Sequence, residues 1–598
     1  MGTDPRHRLS YQDMTLQIKR HKEFLYLLVA ILIAFAAFLF TYKGVRIVYA
    51  INDDITIRSI ASGSLSGTPD GHLIYIQYAL GWIISRLYLL DRRLDWYGLV
   101  MLGLLHGCLS LVMFRVLELA GTLKRQVTGI ALVLAAYALF GLQQAAVIQY
   151  TDVSGVLAGT AVFWLCTVDS RLDYRRFLDP AICLTLMLLS YMVRSSVLLM
   201  SLPFAALVFL YRNVDWPNRR IRLLVLPFGL LVGIAVVFFI EQAAYDTPEW
   251  KAFLRFNGAR TQIFDYCGFP DYGSNDAFYR SIGVSAESYD LLSRYTFAPN
   301  VAANTRIFEA IAARCRALPS RHFVSSDWLF QSNEAVSQLF DTMLDGRYTL
   351  ISTTCAVLFA FLIARRRSTF GATDAGFVLF ILLLHLGIPF FLILRGRFPD
   401  RIVWALYLIE LLLLAGFTLA DNGFPAVVPN ATYERTAAVI FLLVAAAAVD
   451  NQVQVVNAAV DAQATANKAC ERVYAYAADH PDNFYFLSTH SFEICTKTFS
   501  ILADDRFANY TYMGDWDFLS PPLIANWRNN GMGDIQQDLV KRSDIFVVIK
   551  PPDSIDYLVN YYHSIQSDVV ARDVEDITIG DHLAGAVYRL EMRTSSAP

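Results

Sequence analysis

Charge is what this sequence has least of. Asp, Glu, Lys and Arg make up 17% of its 598 residues, whereas soluble domains carry roughly a quarter. A deficit sustained over that length excludes a soluble enzyme, and a content of 55% apolar residues excludes a disordered chain. Basic residues are not in excess, with 50 Lys and Arg against 53 Asp and Glu, so no bulk positive field suggests nucleic acid. Eight cysteines are too few for a disulfide scaffold. His-x-x-x-His and similar metal-ligand spacings are missing, and neither an internal repeat nor a low-complexity tract is evident. What the chain has in abundance is long apolar runs. It reads as a polytopic α-helical membrane protein.

A bilayer-spanning helix needs roughly twenty apolar residues, because unpaired backbone groups cannot persist in hydrocarbon. Uncharged runs of about that length are Phe24–Tyr42, Val127–Thr151, Val153–Val168, Ser195–Tyr211, Leu223–Ile240, Tyr348–Ala364 and Ala375–Leu394. Trp96–Leu117, Ala181–Val193, Ile402–Ala420 and Thr436–Val449 are weaker, each interrupted by a charge or a polar end. That makes about eleven spans. The first is longer than a signal peptide's apolar core and lacks a small-residue cleavage site, so it reads as retained. His72–Leu90 is also apolar, but Arg86 interrupts it and Asp91-Arg92-Arg93 follows.

The positive-inside rule decides the role of that segment. The N-terminal Arg6, Arg8, Lys19, Arg20 and Lys22 put residues 1–23 in the cytoplasm. If His72–Leu90 lies along the outer surface, then Lys124-Arg125, Arg171 to Arg176, Arg219 to Arg222 and Arg365-Arg366-Arg367 all become cytoplasmic. If it spans, they do not. The surface-helix reading leaves outside the first loop (43–95), a turn at Gln149–Val153, a long loop (about 244–347) and the tail from 453 to 598. In the tail, Asn483–Ser488, Ile545–Ile549 and Leu583–Leu590 read as strands of a small α/β domain. Residues 24–452 form the membrane domain. Cys267, Cys315, Cys470 and Cys495 fall outside, where two disulfides or free thiols are equally open. Cys108, Cys166, Cys183 and Cys355 lie in spans as packing residues.

The candidate chemistry begins just past the first span, in Ile51-Asn52-Asp53-Asp54-Ile55-Thr56-Ile57-Arg58. Adjacent carboxylates repel, and something must offset that cost. A turn-rich stretch, Ala61–Asp70, then leads into the surface helix, and the next outward turn, Gln149-Tyr150-Thr151-Asp152, again carries an acid. This order of parts resembles the GT-C superfamily of membrane glycosyltransferases, especially the protein O-mannosyltransferase and lipid A aminoarabinose transferase branch. The resemblance implies that Asp53 or Asp54 is the catalytic base, that Asp152 is the second acid, and that juxtamembrane helices roof the site. It covers residues 24 to about 420 in layout. The family pair is usually Asp-Glu, whereas here it is Asp-Asp, and the usual Pro-Pro-aromatic opening is here Pro69-Asp70-Gly71-His72. Asp95-Trp96-Tyr97-Gly98 looks like the tryptophan-rich oligosaccharyltransferase motif but starts a span, and is set aside.

Sugar transfer from a polyprenyl phosphate needs a base for the acceptor hydroxyl and cations for the departing phosphate. Arg395, Arg397 and Arg401 fall within seven residues of an outer turn, where positives are disfavoured, and arginine's planar donors suit phosphate. Arg194, between two spans, and Arg58 are further candidates, with interfacial snorkelling an equal reading for Arg194. His72 and Tyr150 border the loop and the turn as substrate contacts. The aromatics and charges of the long loop, Trp250, Phe253, Phe256, Arg260 and Tyr279 among them, read first as the core and surface of a folded loop. His385 and Glu410 sit within spans and stay outside the site set. No cofactor is implied, though the Asp53/Asp54 pair leaves room for a divalent cation.

The function expected is transfer of a sugar from a polyprenyl-phosphate donor to a glycan, lipid or protein of the cell envelope, with inversion. It would take place on the outer face of a prokaryotic cytoplasmic membrane. A lipid-linked polysaccharide polymerase or ligase is the nearest alternative. A lipid-sugar flippase or transporter is the alternative from another class, and it would keep its ionisable groups at mid-membrane depth.

Overall fold

The computed structural model describes all residues except 1–9, 169–174, 215–219, 318–327, 367–370, 396–397, 421–430, 493–495, 503–506, 566 and 594–598. Arg171, Arg219, Arg367, Arg397 and Cys495 therefore lie outside the described residues.

Each of the eleven apolar runs is helical over most of its length. They are α1 (Ser10–Phe40), with α2 (Asn52–Ser62) and α3 (Tyr78–Leu90) following in the first loop, then α4 (Trp96–Ala120), α5 (Leu123–Ala136) with its continuation α6 (Leu142–Ala146), α7 (Tyr150–Thr167), α8 (Arg175–Val193), α9 (Ser195–Val214) and α10 (Arg220–Ala244). The long loop folds as five helices, α11 (Pro248–Thr261), α12 (Asp276–Ser281), α13 (Ala286–Ser293), α14 (Thr305–Ala317) and α15 (Trp328–Leu344). Then come α16 (Gly346–Arg366), α17 (Ala372–Leu394), α18 (Asp400–Ala420) and α19 (Ala431–Asp479). Among the described residues, seven of these segments are long and apolar enough to cross a membrane. Leu178–Val193 of α8 and Ser195–Tyr211 of α9 are shorter apolar stretches among those residues.

Helix α3 has 13 residues and so extends about 20 Å, short of the roughly 30 Å hydrocarbon core. Leu80, Ile84 and Tyr88 are buried, while Trp82, Ile83, Leu89 and Leu90 are exposed. One face packs on protein and the other is apolar and open, as a helix lying in an interface requires. Helix α19 runs 49 residues without a break, so the domain boundary expected at 452/453 falls inside it.

The tail is an α/β domain. Its five-stranded sheet has the order Tyr510–Tyr512, Phe484–Leu487, Ile545–Ile549, His582–Met592, Val569–Ile579, the first two pairings being parallel and the last two antiparallel. Helices Pro521–Asn529, Ile535–Lys541 and Asp556–Ser564 complete it. The three expected strands are all present.

A smaller pairing matters more for the site. Val48–Tyr49 lies parallel to Val147–Ile148, and on its other side Tyr49 N–H donates to the Lys497 carbonyl and Phe499 N–H to the Ile47 carbonyl. The first outer loop is therefore stitched both to the turn before α7 and to the C-terminal domain. Cys267 and Cys315 form a disulfide within the long loop. Cys470 is likewise disulfide-bonded.

Candidate active site

Three helix N-termini converge beside this ladder. Helix α2 starts at Asn52 with Asp53 and Asp54 in its first turn, so the positive end of its dipole partly offsets their repulsion. Gly63 then closes the helix in the left-handed region at φ 78°, where a Cβ would sit 2.3 Å from the Thr68 carbonyl carbon. Helix α7 starts at Tyr150, with the Gln149 side chain capping the Thr151 and Asp152 N–H groups. Helix α18 starts at Asp400, and the Pro399 carbonyl accepts from Ile402 N–H. Small residues on α7 bring α18 in. A Cβ on Gly155 would lie 2.7 Å from Ala405 Cβ, and one on Gly159 3.3 Å from Ile409 Cα. This Gly-x-x-x-Gly seam, of the kind that lets membrane helices approach closely, brings the first turn of α18, with Arg401, toward that of α7, with Asp152. Arg401 is in electrostatic reach of Asp53, Asp54 and Asp152.

The two adjacent acids differ. Asp54 is fully buried; its Oδ1 accepts from Tyr97 Oη at 2.7 Å and from Tyr150 N–H at 3.4 Å, and its Oδ2 has no partner among the described residues. Burial pushes its carboxyl well above the ordinary carboxylate range, with Asp53's charge adding to the effect. Asp53 is half-buried and accepts from Tyr150 Oη at 3.4 Å. Burial raises Asp53 too, and Arg401, Arg194 and Arg260 pull it back down. Asp152 is buried and its Oδ1 is without a hydrogen-bond partner among the described residues.

Of the sequence-picked cations, Arg401 and Arg194 reach the acids. The Arg194 guanidinium lies 5.3 Å from both the Tyr75 and Tyr150 ring centres, and those rings are parallel within 1°. Arg58 is placed differently. It is buried, and its Nε donates at 2.8 Å to Asp95, which also takes Tyr49 Oη at 2.7 Å and Tyr88 Oη at 3.1 Å. It braces α2 against α4. Arg395 is exposed, over the Phe391 ring. His72 stacks on Trp250 with its Nδ1 2.5 Å from Asp70, in the corner where the first and long loops meet. Tyr150 is buried at the acids.

Sequence reasoning left out two contributors. Arg260, from α11, is 3% exposed and, among the described residues, donates only to the neutral Asn257, Tyr295 and Thr261. The other is the Gly514–Asp517 loop of the C-terminal domain. Its Asp515 takes the Asn52 amide at 3.1 and 3.3 Å, and Trp516 packs against Tyr75 at 4.8 Å. The long loop holds it there, since Phe297 and Ala298 N–H both donate to the Met513 carbonyl. The signal available was Asp-Trp-Asp between strand residues, too short to stand out. Among the described residues no three His, Cys, Asp or Glu side chains gather as a metal ion needs.

No protein-family model matches the chain, and no curated protein matches it. Among solved structures, the crystal structure of ArnT from Cupriavidus metallidurans in the apo state is similar over 94% of this chain and 97% of its own, at 12% identity and a TM-score of 0.38. The crystal structure of ArnT from Cupriavidus metallidurans bound to undecaprenyl phosphate is similar over 96% of this chain and 99% of its own, at 11% identity and a TM-score of 0.39.

Proposed function

We propose that the chain is a GT-C-type glycosyltransferase that moves a sugar from a polyprenyl-phosphate donor to an acceptor hydroxyl at the outer membrane surface. One observation carries the reading. A half-buried Asp53 stands beside the fully buried Asp54, in electrostatic reach of Arg194, Arg260 and Arg401, and none of these arginines has a carboxylate partner among the described residues. Unpaired buried or interfacial cations are costly unless an anion joins them. A phosphate leaving group is such an anion, and a carboxylate within its reach is the base that the opposing hydroxyl needs.

In this mechanism Asp53 accepts the proton of the acceptor hydroxyl. The oxygen attacks the anomeric carbon opposite the phosphate, the glycosidic bond forms with inversion, and the phosphate departs onto Arg401 and Arg194. Tyr97 and Tyr150 hold Asp54 and Asp53 in place. Arg260 contributes positive potential, three of its five N–H donors being taken by neutral groups.

Donor consumption tests this. The full chain in proteoliposomes should convert a polyprenyl-phosphate sugar to polyprenyl phosphate when an envelope extract supplies the acceptor, and Asp53→Asn should stop it. A protein that moves the lipid-sugar across the bilayer and leaves it intact is a flippase, and the proposal fails.

A further inference from the structure

On another face of α2, away from the acid pair, lies a cavity of about 380 Å³, within the roughly 300–1,000 Å³ of small-molecule sites. It opens between α2 and the C-terminal domain. Ile55, Thr56 and Ser59 of α2 form one wall, and Tyr474, Tyr510 and Tyr512 form the other. The Tyr474 and Tyr510 rings stack at 4.7 Å, and the Tyr474 and Tyr512 hydroxyls are 2.6 Å apart.

The cavity's charged groups are Asp515, Asp517, Glu471, Lys497 and Arg58. Arg58 is already neutralised by Asp95, which leaves three carboxyls against one ammonium. Asp517 is 6% exposed, and its carboxyl is held by its own backbone N–H. A carboxyl so far out of water keeps acceptor capacity that one backbone donor does not fill, and leaving it unfilled is costly. Asp515 belongs to both places, lining the cavity while bonded to Asn52 next to Asp53.

We propose that this cavity binds the acceptor, and that the acceptor's recognised part is a neutral or amino sugar. Carboxyl groups accept from hydroxyl and ammonium donors, and an acid-lined wall repels phosphate. The arginines that suit phosphate are on the acid pair's side of α2. The inference rests on the transferase reading above and adds to it the acceptor's chemical class.

Ligand-observed NMR on the full chain in nanodiscs tests it, with glucosamine, N-acetylglucosamine and mannose as probes and glucose 1-phosphate as the anionic control. At least one of the three sugars should show saturation transfer and the phosphate should not. Asp517→Ala should weaken that sugar about tenfold, the loss of one buried hydrogen bond. Ser59→Trp, which fills the cavity from α2, should abolish it. Both variants should bind undecaprenyl phosphate as the parent does. The proposal is overturned if none of the three sugars binds, if both variants bind sugar unchanged, or if both lose the lipid phosphate as well. Failure of the transferase reading shows separately, as donor consumption that survives Asp53→Asn while sugar binding stays intact.

Discussion

At the scale of single residues, the decisive contrast is between neighbours. Asp53→Asn should lower donor consumption by about 10²–10⁴-fold, the usual contribution of a general base, with expression unchanged. Because burial raises Asp53, its acid limb in a pH–rate profile should lie above the ordinary carboxylate range, with rate rising as pH rises through it. A limb at or below about pH 4 would remove Asp53 as base. Arg401→Ala should cost about ten- to a hundredfold in turnover, a charge-assisted bond's worth. Arg401→Lys should recover part of that, and Arg395→Ala should leave turnover near the parent's. Equal losses at 395 and 401, measured as initial rates, would contradict the geometry.

Asp515 and Asp517 give a stability test. Burial, as the main cause, pushes Asp515 up to about 6 and Asp517 to about 8. The folded state therefore holds protons that the unfolded chain releases near pH 4. Their contribution is fully present below about pH 4 and is lost as pH rises through 6 and then 8. Asp517→Asn should flatten the fall in melting temperature between about pH 5 and 8, and parallel melting curves would refute the buried carboxyl. The Asp53-Asp54 pair was singled out in the sequence by the order of parts around it, since two adjacent acids alone read as a solvated turn or helix cap. Arg260 was not, since a buried arginine's burial is a property of the fold around it.

At the scale of elements, apolar length carried nearly all the information. Every expected span is a helix, and strand Ile545–Ile549 matches its expected bounds. The strand pairing Val48–Tyr49 with Val147–Ile148 was invisible, because two residues show no periodicity. Val569–Ile579 was hidden by Arg572, Asp573, Glu575 and Asp576, charges that an edge strand tolerates on its exposed face. The seam between α7 and α18 carries this scale's prediction. Gly155→Leu would push α18 away from α7 and shift Arg401 relative to Asp152. A displacement of about 1 Å in a positioning group can cost about a hundredfold, so donor turnover should fall far more than membrane insertion or helicity. Full activity in Gly155→Leu and Gly159→Leu together would mean that the seam does not position the arginine.

At the scale of the molecule, the membrane and C-terminal parts complete one site, since Asn52 and Asp515 come from opposite ends of the chain. A reporter fused after Pro598 should therefore be found on the same side as a label placed in the 64–68 turn. Opposite sides would break both the shared site and the orientation drawn from basic loops. That partnership was only half legible: the tail's α/β character could be read from its strands, but nothing in its composition pointed inward to Asp515.

The unbroken α19 joins these two parts, and a helix is a dial as well as a rod. Each residue advances the chain by about 1.5 Å and turns it by about 100°. One residue inserted into the stretch of α19 that joins the two parts would swing the attached domain through more than a quarter turn, carrying Asp515 off Asn52 altogether. Seven residues bring the angle back to within about 20° but lengthen the reach by about 10 Å. The spacing between the last membrane turn and the first tail strand is thus a phase setting, and few insertions or deletions there are compatible with an assembled site.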